Sequence, residues 1–363
     1  LIWLDIIDPK YVLFFHSLIP KLKQLDKILI TTRKSEGYNE CAKLLEIFDI
    51  ENIPVGGYGG ETLLGKFHSR LQRQEGFLKI FEKTQLPKLF ITGASVDGTQ
   101  TAYGLGIPII QFSDTPLRDD YFALEKITLL SRLTLPLSSL IFRPFIVPEV
   151  CYTSLGIASK NIISYDFIDV ALWLNDLKPA KDFREKYAIP TTRPTILVRE
   201  EEYKAHYVDK KLSVIYESIY LLNTCIDANI VIMPRYESDI LKKEFGNLKN
   251  VFIIEEKLFP NQFYPFIDIL IGGGGTMNLE ACYLGIPTIS TRSLFLFHDR
   301  YLLDNSLMEH FKDPLSLCKA VKNIIALKWN GKNISRSDYK KFFELQKADF
   351  NQIFKEITKR FYT

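Results

Sequence analysis

Cysteine is scarce in this chain of 363 residues, and its five thiols, Cys41, Cys151, Cys225, Cys282 and Cys318, never fall in a Cys-x-x-Cys spacing. An odd, scattered set excludes a disulfide framework and a thiolate zinc site, and it makes a reducing cytoplasm the expected compartment. The five histidines show no metal-ligand spacing, so no metal is predicted. No apolar run reaches the roughly 18 charge-free residues of a membrane span. The opening "LIWLDIIDPKYVLFF" is interrupted by Asp5, Asp8 and Lys10 and lacks the basic lead of a signal peptide, which again predicts a cytoplasmic protein. Charge of one sign is also missing in bulk. A net charge of +3 gives no reason to expect a nucleic acid.

Aromatic residues are abundant, with 26 Phe and 18 Tyr, and in a chain this long they chiefly build core. Peripheral contact with the inner face of a membrane is admitted by "LFLFHDRY" and by the basic, aromatic tail. The length suits two domains of about 150 residues each. Apolar runs of strand length alternate with helical periods: "LIWLDI", "YVLFFHSLIPKLKQL", "KILITTR", "NECAKLLEIFDI", "IPVGG", a helix over about Leu63 to Thr84, "KLFITGA" and "TAYGLGIPIIQFSD". Strands of continuous Ile, Leu and Val between helices predict a parallel sheet buried on both faces. Proline, charge and threonine gather in "LNDLKPAKDFREKYAIPTTRP", after which the same alternation restarts at "TILVREEEY". The prediction is an α/β protein: an N-terminal domain over 1–165, a linker over 166–194, a C-terminal domain over 195–336 and a closing amphipathic helix over 337–363.

Within the second half, "DILIGGGGTMNLEACYLGIPTIS" places Gly272, Gly273, Gly274 and Gly275 between a strand and a helix predicted over Thr276 to Leu284. Bare backbone at the carboxyl end of a parallel strand lets phosphate oxygens reach N–H groups at the positive end of the helix. Thr276 offers a hydroxyl and an N-cap, and Glu280, one turn on, offers a carboxylate to two neighbouring ribose hydroxyls. Neither a Gly-Lys-Ser/Thr loop nor a GxGxxG fingerprint is present. A nucleoside diphosphate is therefore predicted rather than a dinucleotide. A second glycine-rich stretch, "GGYGGETLLGKF" at residues 56 to 67, reads as a mobile lip on the acceptor side or as an ordinary crossover loop.

The segment "GGGGTMNLEACYLGIPTIS" resembles the donor-site signature of GT-B glycosyltransferases of the MurG type and of non-hydrolysing UDP-N-acetylglucosamine 2-epimerases. From "LDIIDPKYVLFF" through "GLGIPIIQFSDTP" to that signature, the chain is similar to the archaeal DUF354 family. The resemblance implies two doubly wound Rossmann-like domains facing a cleft, with a C-terminal helix crossing back. It also places Arg199 in "LVRE" and Arg235 in "VIMPR" near the diphosphate or base, and Arg292 after "TIST" in the donor pocket. The implied partners are a UDP-sugar or related nucleotide as substrate and an acceptor of the lipid-linked kind among others. No cofactor is implied.

The departures from those families bear on the chemistry. The turn after the first strand has no glycine, and the epimerase "HGD" and "HV" segments are replaced by "TGASVDG" and "QFSDTP". This ranks sugar transfer above epimerisation, with a nucleotide-sugar binding protein without catalysis as the other alternative. An inverting transfer needs a base beside the acceptor hydroxyl and positive charge on the leaving diphosphate. Asp114 and Asp8 lead as catalytic candidates, ahead of His16 and Asp97, although Asp8 also suits a helix cap with Pro9 behind it. An Asp-x-Asp motif is absent, and a metal-independent reaction is expected.

Overall fold

The structure is a computed structural model, and it describes residues 1–36, 39–60, 62–93, 95–175, 177–180, 183–201, 214–235, 238–335, 343 and 348–362. Its contacts divide the chain into two compact units, Leu1–Leu172 with Lys347–Thr363, and Trp173–Gln346.

The first unit carries the strands β1 (Ile2–Asp5), β2 (Ile28–Thr32), β3 (Ile53–Pro54), β4 (Leu89–Thr92), β5 (Ile109–Phe112), β6 (Leu140–Pro144) and β7 (Ile162–Tyr165). They form one sheet in the order β3-β2-β1-β4-β5-β6-β7, every pair parallel. Its helices are α1 (Pro9–His16), α2 (Ile19–Leu22), α3 (Glu40–Ile47), α4 (Leu63–Lys83), α5 (Val96–Gly104), α6 (Leu129–Thr134) and α7 (Val150–Thr153). The stretch read as one helix, "YVLFFHSLIPKLKQL", is two, because Pro20 has no N–H to continue the ladder. β6 and β7 were not anticipated; "LIFRP" carries a charge and ends on a proline, and "IISY" has a serine within it. Under the sheet Arg73, wholly buried, donates to both carboxylate oxygens of Asp5 at 3.0 and 2.7 Å and pairs with Asp97 at 2.7 Å. Asp97 is thereby engaged in holding α4 and α5 to β1.

The closing helix, Asn351–Phe361, belongs to this first unit. Phe350 packs edge-on against Phe14 with ring centroids 5.2 Å apart, Lys21 donates to Asn351 at 2.9 Å, and Arg360 donates to the Lys160 carbonyl at 2.6 Å. Ile353 and Ile357 are buried, so one face of this helix completes the first core. The C-terminal crossing back therefore stands. Residues 337–342 and 344–347 of the expected helix lie outside the described residues.

The second unit holds β8 (Thr195–Arg199), β9 (Asn229–Met233), β10 (Val251–Ile253), β11 (Ile269–Gly272), β12 (Thr288–Ser290) and β13 (Glu309–His310), in the order β10-β9-β8-β11-β12-β13 and again all parallel. The remaining helices are α8 (Ala171–Leu174), α9 (Phe183–Lys186), α10 (Val214–Cys225), α11 (Asp239–Phe245), α12 (Pro260–Phe263), α13 (Gly275–Tyr283), α14 (Phe297–Asp304) and α15 (Pro314–Lys328). Alternation along the strands sorts the core into two layers. Ile196, Val198, Ile230, Ile232, Ile269 and Ile271 face α10 and α15, while Leu197, Val231 and Leu270 face Phe263, Ala281 and Ile286. The stretch read as a linker is partly packed: Phe183 and Ile189 are buried in the second of these layers. Both sheets have the doubly wound order, and the fold is α/β with two Rossmann-like domains.

Candidate functional site

In each sheet the connections run outward in opposite directions from one pair of adjacent strands, which opens a crevice at their carboxyl ends. In the second unit that pair is β8 and β11. Arg199 ends β8 and is followed by Glu200 and Glu201; Gly272 ends β11 and is followed by the other three glycines. The predicted glycines, Arg199, Arg235 and Arg292 are brought together here.

None of the four glycines has a positive φ, so close approach explains them rather than backbone conformation. A Cβ on Gly272 would collide with the buried Asn278 side chain, and one on Gly273 would come within 2.5 Å of the Glu201 backbone nitrogen. Those two positions are bare because the protein packs against them. Gly274 and Gly275 instead lie next to charged side chains. The Arg235 guanidinium lies 3.6 Å from the Cβ position of Gly274, and that of Arg292 lies 3.0 Å from that of Gly275.

Helix α13 begins at Gly275 with Gly274 as its N-cap and no side-chain cap bond. Thr276 is therefore inside the first turn and is not the cap. The cap residue Gly274 has extended backbone, φ −117°, which any residue adopts, and Asn278 Nδ2 donates to the Gly272 carbonyl at 3.4 Å. The α13 N-terminus consequently presents its amide groups without a side chain over them.

The cations are oriented by their surroundings. Arg199 Nη1 donates to the carbonyls of Met233 at 3.1 Å and Pro234 at 2.7 Å, tying the end of β8 to that of β9. Arg292 is buried and pairs with the equally buried Asp299, which also accepts from the Leu296 amide at 3.0 Å. Glu200 accepts from the Arg235 amide at 3.1 Å and from the Tyr216 hydroxyl; Glu201 accepts from the Ser293 amide at 2.8 Å and hydroxyl at 2.6 Å. His310 Nε2 meets the Arg292 carbonyl at 3.0 Å, and burial pushes the imidazole below its usual pKa.

Glu280 sits on α13, 5% exposed, and both its oxygens are in use: Oε1 accepts from Trp173 Nε1 at 2.8 Å and Oε2 from the Tyr264 hydroxyl at 2.7 Å. Burial raises its pKa, and these two hydrogen bonds oppose the rise. A carboxylate has about four acceptor sites, so each oxygen keeps one for a further donor. Beyond Tyr264 lies a cavity of about 260 Å³, lined by Leu174, Asn175, Leu177, Pro179, Tyr264, Pro265, Tyr283 and Leu284.

In the first unit the crevice lies between β1 and β4. Asp114 follows β5, and the Lys10 ammonium pairs with it and, at 2.6 Å, with Asp169. Asp169 accepts from the Tyr165 hydroxyl at 2.8 Å, and the Tyr11 hydroxyl lies 3.4 Å from Asp114. Burial would push the Lys10 ammonium down, and the two carboxylates outweigh it and hold its pKa above the ordinary value. Two acids thus share one cation. Asp8 is exposed and caps α1, accepting from the Lys10 amide at 2.8 Å. His16 ends α1, exposed, its ring 4.5 Å from that of Phe48. Six helical residues after Lys10, it is about 9 Å along the axis from that residue, and the structure does not bring it to Asp114.

The loop after β3 is anchored where described: the Tyr58 amide donates to Ser35 at 3.1 Å and Ser69 donates to the Gly57 carbonyl at 2.7 Å. Sequence reasoning missed Lys10, Asp169, Trp173, Tyr264, Glu201 and Asp299. Asp169 follows β7, a strand that was not read, and the partners of Glu280 lie 107 and 16 residues away in the chain. Among the described residues no helix is long and apolar enough to cross a membrane.

Comparison with known proteins adds the following. The model of a family described as "Protein of unknown function (DUF354)" matches residues 1–348. An uncharacterized protein of Methanocaldococcus jannaschii is 30% identical over 329 residues, covering 89% of this chain and 91% of that one. Among solved structures, a UDP-GlcNAc 2-epimerase from Neisseria meningitidis bound to UDP-GlcNAc superposes with a TM-score of 0.71 at 16% identity, over 94% of this chain and 97% of that one. The UDP-GlcNAc 2-epimerase of Methanocaldococcus jannaschii in complex with UDP-GlcNAc and UDP gives 0.68 at 15%, over 95% and 98%. HepE of Anabaena, in complex with UDP and glucose, gives 0.63 at 12%, over 98% of each. Identities this low establish the fold alone.

Proposed function

The chain belongs to the DUF354 family, and from that premise and the two strand-end sites we propose that it is a GT-B-type enzyme acting on a nucleotide-diphosphate sugar, UDP-linked, which it transfers to an acceptor without a metal. The observation that carries the reading is the bare N-terminus of α13 set beside Arg235 and Arg292, with Arg199 ending the adjacent strand. Amide groups and guanidinium groups converge there on the space a diphosphate would fill, and the charge they supply is what a leaving nucleoside diphosphate needs. Glu280, held by Trp173 and Tyr264, takes the ribose with its remaining acceptor sites.

In the reaction Asp114 accepts the proton of an acceptor hydroxyl, the oxygen forms its bond to the anomeric carbon on the face opposite the diphosphate, and the sugar–phosphate bond breaks with its electron pair going to the nucleotide. Lys10 and Asp169 hold Asp114 in place. Asp8 serves the α1 cap and is second to Asp114 as a base; His16 is further from this role than either.

Epimerisation at the sugar is the second reading, favoured by the whole-length likeness to 2-epimerases. Calorimetry with UDP tests the shared part, binding at the glycines. Incubation with UDP-sugars separates the two reactions: transfer or hydrolysis releases UDP, whereas epimerisation in deuterated water places deuterium at carbon 2 and releases none. A protein that binds UDP and does neither is the non-catalytic alternative.

A further inference from the structure

Exposed apolar surface is unevenly shared: among the described residues, sixteen of the twenty exposed large hydrophobic side chains belong to the first unit. Five lie on α4, namely Leu63 at 72% exposure, Leu64 at 80%, Phe67 at 52%, Leu71 at 50% and Leu78 at 42%. At 3.6 residues per turn they fall within one sector about 100° wide, while Arg73 and Phe77 turn inward. The first three turns carry one sign of charge. From Thr62 to Gln74 there is no carboxylate, and Lys66, His68, Arg70 and Arg73 are present. Arg73 is spent on Asp5 and Asp97; Arg70, 3.6 Å from Asp97, also lies 5.6 Å over the Phe67 ring at the edge of the apolar flank.

A parallel sheet starts each following helix at its carboxyl edge, so Leu63, Leu64 and Phe67 form a tip at that edge. The glycine loop before them adds Tyr58, 39% exposed, and α6 opens on the same edge with Leu129 and Leu130 exposed by 58% and 39%. The area and the charge decide what covers α4. From Leu63 to Leu78 the flank is about 22 Å long and one helix, about 10 Å, wide. That footprint is several-fold short of the roughly 800 Å² per partner of a stable protein interface. Over the first three turns, leucine and phenylalanine on one side with lysine, histidine and arginine beside them and no acid before Glu75 is the make-up of a helix lying in a lipid headgroup layer.

We propose that the outward flank of α4 is a docking surface for an anionic lipid bilayer, with Leu63, Leu64, Phe67 and Leu71 entering the boundary between headgroups and acyl chains while Lys66 and His68 meet the lipid phosphates. The whole chain is sedimented with vesicles of phosphatidylglycerol and phosphatidylcholine, and with vesicles of phosphatidylcholine alone. It pellets with the first and stays in solution with the second, and Leu64→Asp with Phe67→Asp lowers the bound fraction about tenfold or more. Both positions are exposed, so the thermal melt of the double variant stays that of the unsubstituted chain. Hydrogen exchange in the unsubstituted chain gives an independent reading: exchange over residues 58–71 slows on anionic vesicles only. Absence of pelleting, pelleting that the two aspartates leave unchanged, or unaltered exchange over 58–71 overturns the proposal. So does a dimer in light scattering that the same substitutions dissociate. No nucleotide is added, so the outcome is independent of the sugar-transfer reading.

Discussion

Gly273 lies so close to Glu201 that a Cβ added to it would stand 2.5 Å from the Glu201 backbone nitrogen and 2.6 Å from its Cα. Backbone cannot swing aside as a side chain does. Gly273→Ala is therefore expected to cost about 1–3 kcal/mol, as overpacking does, and to weaken UDP binding by spreading β8 from β11. Gly274→Ala, whose nearest neighbour is the movable Arg235 guanidinium at 3.6 Å, is expected to stay within about 0.5 kcal/mol. Urea titration of the pair checks the contrast, and equal losses would contradict it.

Lys10 is the cation between two acids, and Asp169 is 2% exposed. Lys10→Met leaves a buried carboxylate without its ion partner, which is expected to cost about 3–5 kcal/mol at neutral pH. Urea denaturation at pH 7 measures this; a deficit under about 1 kcal/mol would remove the electrostatic explanation.

Glu280 titrates above its usual value because it is buried. With the folded pKa raised, the folded state holds the proton more tightly than the unfolded one. The associated stability is present below the unfolded value of 4.5 and is lost as pH rises through the folded value. Glu280→Gln has no such loss, and the Tyr264 hydroxyl can turn toward the Met277 carbonyl, 3.4 Å away. The variant should thus gain on the parent between pH 4.5 and neutrality in thermal melts, while its UDP affinity falls by about 1–3 kcal/mol. Parallel stability curves would argue against a raised pKa.

For the chemistry, Asp114→Asn is expected to lower UDP release from the productive UDP-sugar by about 100-fold or more, the usual worth of a positioned base. Asp8→Ala should cost about 1 kcal/mol of stability, as a lost cap does, and leave turnover within about threefold. His16→Ala should alter neither by a measurable amount. Turnover lost in the Asp8 variant and kept in the Asp114 variant would exchange their roles.

If Arg199, Arg235, Arg292 and the α13 amides meet the diphosphate charge, removal of divalent ions has no effect on UDP affinity. Calorimetry in EDTA and in magnesium should agree within about twofold. Binding that requires magnesium would contradict this.

The sequence made the sheets legible because parallel strands buried on both faces read as unbroken apolar runs, and Leu63–Lys83 is long enough for its period to be unmistakable. It made the glycine turn legible because four bare residues between a strand and a helix have few uses. What it hid was of two kinds. In β6, "LIFRP" carries a charge and a proline, and in β7 "IISY" carries a serine, so no unbroken apolar run announced them. Lys10, Asp114 and Asp169 meet across 104 and 159 residues of chain, and no local pattern records such a meeting. Even the glycines were only half read: two of them serve packing against Asn278 and Glu201, and two face the arginines.

The closing helix sets an order of events in synthesis. Phe350, Ile353 and Ile357 are all buried in the unit whose other residues end at Leu172, so that core stays open to water while some 170 intervening residues are made. At about 5–20 residues per second the wait is on the order of ten to forty seconds. The second domain, begun later, can be finished first. Released chains truncated before Phe350 should accordingly be cut by protease in residues 1–172 and spared in 195–335, and a fragment ending at Leu172 needs the helix supplied as a peptide to become resistant.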